Sequence, residues 1–166
     1  DSALLDEMRR FDVSRTVWVE AESKKIGKLQ LPEALHDAMH LSPVVNLGAP
    51  MPERVKLWRE DYPHFARDPQ GMMRKLEPLK PLVGKETLTH WMALAAEGRV
   101  DELFESVMVL HYDPCYRRST KRNYGPRPAT MDLALDSLEP AGLEVAVRRL
   151  IELDTRESIA APVVSQ

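Results

Sequence analysis

The chain has 166 residues, 43% hydrophobic and 30% charged, with a formal net charge of −3 and one cysteine, Cys115. That length and usage suit one sizeable core or two small lobes, and a lone cysteine excludes a disulfide scaffold or a thiolate zinc cluster. No apolar run approaches the roughly eighteen residues of a membrane span and no leader-like segment is recognisable, so no membrane partner and a cytoplasmic location are expected.

The chain opens in an apolar-periodic helix carrying Leu4, Leu5, Met8 and Phe11. Such a beginning suggests a piece of a longer protein. Thr16 to Ala21 is β-favouring through Val17, Trp18 and Val19 and closes on Glu20, which predicts a buried strand. A polar connection, 22–30, leads to a helix over Leu31 to Leu41 with Pro32 in its first turn. Val44 to Leu47 predicts a second short strand, and Pro52 to Tyr62 another helix with Val55, Trp58 and Tyr62 on one face. The order strand, helix, strand, helix is a βαβ unit. Two parallel strands rarely stand alone, so the fold class expected is α/β: the second half of a doubly wound P-loop-type parallel sheet, followed by a mainly α-helical region.

From Asp68 onward the pattern predicts helices only. Asp68 and Pro69 cap and start one through Met72, Met73 and Leu76. Thr87 is a candidate cap for the next, with Leu88, Trp91, Met92 and Ala95 inward, and Asp101 to Leu110 continues and is expected to stop before Pro114. Residues 123–129 read as a loop, and a final helix over Pro140 to Leu153 places Leu143, Val147, Leu150 and Ile151 on one side. The expected organisation is 1–50 as the α/β part, 51–154 as a helical region with a basic segment at 114–128, and 155–166 as a disordered tail.

That basic segment carries Arg117, Arg118, Lys121, Arg122 and Arg127 with no acidic residue, so a polyanion should be met there rather than over the whole surface. Tyr112, Tyr116 and Tyr124 are interleaved with it. Arginine pairs with phosphate and tyrosine stacks on unpaired bases, which suits RNA; a solvated helix with its tyrosines packed inward is the plainer alternative. Continued as a helix, 117, 118, 121 and 122 form one basic stripe. His111 and Asp113 read as structural, and Cys115 as a small half-buried thiol. His36 and His40, one turn apart, lack a third metal ligand and are expected on an exposed face. The closest string to a phosphate loop, Gly84-Lys85-Glu86-Thr87, lacks both the hydroxyl residue after lysine and the earlier glycine.

Two strings, TVWVEAESKKIGKLQLP at 16–32 and HYDPCYRRSTKR at 111–122, together resemble the C-terminal part of the bacterial tRNA 2-selenouridine synthases. The resemblance implies a cytoplasmic tRNA-modifying selenotransferase. Its members carry a rhodanese-like domain and then a P-loop domain, and convert wobble 2-thiouridine to 2-selenouridine through a geranylated intermediate. It implies that the phosphate loop and the rhodanese-like domain lie upstream of Asp1, and that this piece alone binds no cofactor and is inactive. Selenophosphate and geranyl diphosphate would be substrates of the whole enzyme, with Mg²⁺ a candidate ion. Glu20 would have a catalytic or Mg²⁺-linked role; Glu22, Ser23, Lys24 and Lys25 would face phosphate-bearing groups; Tyr116, Arg117, Arg118, Lys121, Arg122 and Tyr124 would meet tRNA. Lys24 stands where members commonly have arginine, which removes a bidentate phosphate contact. Alternatives are part of a P-loop small-molecule kinase, with Arg54 or Arg59 as phosphate clamp, and a noncatalytic helical module that binds RNA or protein.

Overall fold

Trp91, Leu103, Phe104 and Met108 are wholly excluded from solvent, and the fold is organised around them. A computed structural model describes residues 2–21, 24–125 and 130–160. The core lies among helices α3 (Met51–Asp61), α5 (Pro69–Leu76), α7 (Lys85–Ala96) and α8 (Val100–Val107). α3 contributes Val55 and α5 contributes Met72 and Met73, while α7 and α8 contribute residues at three- and four-residue spacing: Leu88, Trp91 and Ala95, then Val100, Leu103, Phe104 and Val107. Trp91 keeps its indole N–H satisfied inside this core by donating to Ser106 Oγ at 2.8 Å. Short helices α4 (Pro63–Arg67) and α6 (Lys80–Val83) and a 3-10 turn at Glu77–Leu79 join these segments. Asp68 caps α5 as its sequence predicts, accepting from the Gly71 amide at 2.7 Å. Thr87 does not cap α7, which begins two residues earlier behind Gly84. Met92, expected inward, is 58% exposed.

Before the core come α1 (Ser2–Met8), a two-rung hairpin of β1 (Lys25–Ile26) and β2 (Leu29–Gln30), and α2 (Glu33–Leu41). Gly27, at φ +59°, makes the hairpin turn in a backbone region that other residues seldom adopt. The strand expected over 16–21 is not formed, and Val17, Trp18 and Val19 are each about half exposed. A strand exists only where its amides find a partner, and none of the described strands lies beside this segment.

The expected strand at Val44 is present as β3 (Val44–Gly48). Its partner is β4 (Thr130–Ala134), parallel and in the register Val44 to Thr130 through Gly48 to Ala134. This corrects the helix-only reading after Asp68. The signal was present as alternation, with Leu133 and Leu135 buried and Asp132 and Ala134 pointing the other way. The fold class is therefore mixed α/β, mostly helical with a small parallel sheet. Helix α10 (Pro140–Ala160) covers one face of the sheet through Ala146 and Leu150, against Val45, Leu133 and Leu135. Only that narrow stripe is buried, because two strands offer little width. Leu143, Val147 and Ile151, read from sequence as inward, are 43%, 52% and 56% exposed.

Candidate nucleic-acid interface

Helix α8 does not stop before Pro114. It passes into a π-helical turn, Met108–Tyr112, and directly into α9 (Asp113–Tyr124). Proline has no amide hydrogen for the carbonyl four residues back, and its ring crowds that carbonyl. Widening the preceding turn relieves the crowding, and the Asp113 amide accordingly bonds Met108 O, five residues back. The helix is thus carried through the proline with its rotation reset. Arg54, in α3, then fixes that rotation by a two-pronged bond to Asp113, Nη1 to Oδ2 at 2.9 Å and Nη2 to Oδ1 at 2.5 Å. The carboxylate holds the Arg54 guanidinium above its ordinary pKa, chiefly through that hydrogen bonding.

So oriented, α9 presents Tyr116, Arg117, Arg118, Lys121 and Arg122 to solvent. The four cations form the stripe expected at spacings of three and four. Among the described residues none of the four has a carboxylate partner, whereas Arg54, Lys56, Arg59, Arg74 and Arg99 are all in ion pairs. Arg118 instead donates to Cys115 Sγ at 3.1 Å, and that sulfur also lies 3.7 Å from His111 Nδ1. Positive charge near the carboxyl end of α9 is favoured by the helix dipole, so Lys121 and Arg122 fit a helical conformation locally. Arg127 lies outside the described residues.

Tyr112 and Tyr116 flank the stripe. Both are exposed, at 45% and 41%, and their rings are nearly parallel, at 16° with centroids 6.3 Å apart. Trp58 of α3 sets its edge against Tyr112 at 5.6 Å and against buried Phe104 at 5.7 Å, anchoring the tyrosine pair to the core. Trp58 was read from sequence only as a core residue of an amphipathic helix. Its position facing Tyr112 depends on a contact between residues far apart in the chain, which spacing along α3 does not reveal.

Tyr124 behaves differently. It is 1% exposed, stacked on His36 and tilted against His40, each ring centroid 5.3 Å away. It offers no face to a base. His36, read as exposed, is 3% exposed, and its Nε2 lies 3.3 Å from Nε2 of His40. The reason is tertiary: the end of α9 packs on the face of α2 that sequence periodicity had assigned to solvent.

His36, Asp37, His40 and Leu41 line a shallow depression of about 420 Å³ together with Lys24. Lys25 is exposed in β1, and Glu20 is exposed on the irregular segment before it. Glu22 and Ser23 lie outside the described residues. Among the described residues no group of three His, Cys, Asp or Glu side chains gathers as a metal site. Arg54 and Arg59, the clamps of the kinase alternative, are engaged with Asp113 and Asp101. No described helix is long and apolar enough to cross a membrane.

No curated protein and no solved structure matches the chain. The sequence model of one family does, over residues 2–80: the tRNA 2-selenouridine synthase AAA domain. The match takes in the first quoted string, α2, β3 and α3, and ends before α9. Of the small parallel sheet, the matched region includes β3 and not β4 or the covering helix α10. Over residues 2–80, just under half of its length, the chain is similar to the AAA domain of the tRNA 2-selenouridine synthases, which is consistent with a C-terminal part of such an enzyme.

Proposed function

We propose that this chain is the C-terminal part of a tRNA 2-selenouridine synthase and that α9 is where it holds tRNA. The observation that carries the reading is the row Arg117, Arg118, Lys121 and Arg122, exposed and without carboxylate partners among the described residues, in a chain similar to this family over residues 2–80. An unneutralised row of cations gains most from a polyanion, because each phosphate it meets releases condensed counterions.

In the whole enzyme the reaction would be geranyl transfer to wobble 2-thiouridine and then substitution by selenium, with geranyl diphosphate and selenophosphate as donors. Lys24 and Lys25, with Glu22 and Ser23 between them and Glu20, would face the phosphate-bearing groups. Glu20 would take its catalytic or Mg²⁺-linked role at the carboxyl end of a third parallel strand, formed when 16–21 joins the sheet of a doubly wound domain. The chain alone would be inactive.

The experiment is tRNA binding by the protein and by a variant with Arg117, Arg118, Lys121 and Arg122 all changed to Glu, over a range of salt. Loss of affinity with a flattened salt dependence supports the reading, and unaltered affinity and slope remove it. For Glu20, turnover of a Glu20→Gln full-length enzyme is the measure; unchanged turnover removes that role.

A further inference from the structure

We infer that Tyr112 and Tyr116 form a stacking platform for unpaired nucleotides, so that α9 grips single-stranded RNA rather than duplex. The inference rests on the RNA-binding reading of α9 and specifies the form of RNA it takes.

Three observations carry it. The two rings are exposed although both are large and apolar-faced, and their planes lie within 16° of one another, one helical turn apart. They are also braced. Trp58 abuts Tyr112 edge-on and is itself set against Phe104, which is fully buried, so the platform is attached to the rigid core rather than to a loose side chain. Finally, Arg54 and Asp113 lock the backbone immediately after Tyr112. A rigid aromatic face loses little conformational freedom when a base settles on it, which favours stacking over a floppy contact.

The adjoining charges complete the match. Arg117 and Arg118 follow Tyr116 directly, and Lys121 and Arg122 continue one turn beyond. A strand whose bases lie on the tyrosines would run its phosphates along the cations, which is how sequence-tolerant single-strand sites are built. In a duplex the base faces are already stacked on one another, and only phosphates and groove edges remain to be met. A duplex would therefore use the basic stripe and leave the tyrosines idle.

The test measures fluorescence anisotropy of two labelled probes, a twelve-nucleotide oligouridine and a twelve-base-pair RNA duplex, at one fixed salt concentration. The proteins are the unaltered chain, Tyr116→Ala, Tyr112→Ala and Tyr116→Phe. Tyr116→Ala should weaken oligouridine binding about tenfold while changing duplex binding less than about twofold, and Tyr116→Phe should bind oligouridine as the unaltered protein does. Tyr116 serves as the principal variant because Tyr112 touches Trp58 and its removal can disturb folding. Oligouridine binding unchanged in both alanine variants overturns the inference and leaves the RNA reading standing. Equal losses on both probes overturn it too, since a general polyanion contact would then account for the tyrosines. If the unaltered protein binds neither probe, the RNA reading itself fails.

Discussion

Arg54 holds Asp113 through both guanidinium amino nitrogens, joining residues 59 positions apart in the chain. Their side chains are 26% and 19% exposed, so the pair is shielded enough for loss of one partner to strand the other. Arg54→Ala should lower unfolding stability by about 2 kcal/mol in a urea titration. Arg54→Lys should not restore it, because an ammonium cannot make both bonds. Full stability in Arg54→Ala would show that the pair contributes nothing to fixing α9.

The salt dependence of RNA binding should report on the stripe quantitatively. Changing Arg117, Arg118, Lys121 and Arg122 to Gln removes four phosphate contacts. The slope of log affinity against log salt for a single strand should become shallower by about 3. An unchanged slope would place the RNA elsewhere on the protein.

Tyr124→Ala should act on folding and not on RNA. The ring is 1% exposed and packs against both His36 and His40, so its removal opens a cavity between α2 and the end of α9, at a cost of about 3 kcal/mol. A Tyr124→Phe protein should keep most of that stability. At temperatures where Tyr124→Phe is folded, its oligouridine affinity should equal that of the unaltered protein. A specific loss there would return Tyr124 to the interface.

Acid should loosen the attachment of α10 before it unfolds the core. Glu53 in α3 accepts from the Leu138 amide at 2.8 Å and from Ser137 Oγ at 2.9 Å, and these bonds, the amide first, lower its pKa below the ordinary 4.5. A carboxylate with a depressed folded pKa contributes its full stabilisation above the unfolded value and loses it as pH falls through the folded one. Hydrogen exchange at the Leu138 amide should therefore quicken, relative to neighbouring amides, below about pH 4.5. In Glu53→Gln that extra acid sensitivity should vanish; its persistence would assign the effect to another group.

Much of this was legible along the chain where structure is decided locally. The Asp68 cap, the core spacing of Leu88, Trp91 and Ala95, the strand at Val44 and the stripe at 117–122 all follow from neighbours within a few residues. The failures at Val17 to Val19, at Thr130 to Ala134 and at His36 share one cause, which is dependence on a distant partner. Val17 to Val19 has strand-forming residues but no described strand beside it, whereas Thr130 to Ala134 has weaker ones and pairs with β3. His36 is buried only because Tyr124 arrives from 88 positions away on α9. At the interface the cations could be read from sequence, and the Trp58 brace behind Tyr112 could not.

The pairing of β3 with β4 also sets an order of events in folding. Asn46 Nδ2 donates to Asp132 Oδ1 at 2.9 Å across 86 positions, and the whole helical core lies in the loop that this contact closes. Closing so long a loop before its interior is compact costs more chain entropy than a few ladder bonds return. The helices, whose contacts are mostly between neighbours in sequence, must therefore condense first and carry the two strands together. On a ribosome, the basic helix is complete while β4 is still being made, and the sheet zips only when the chain beyond residue 134 has emerged.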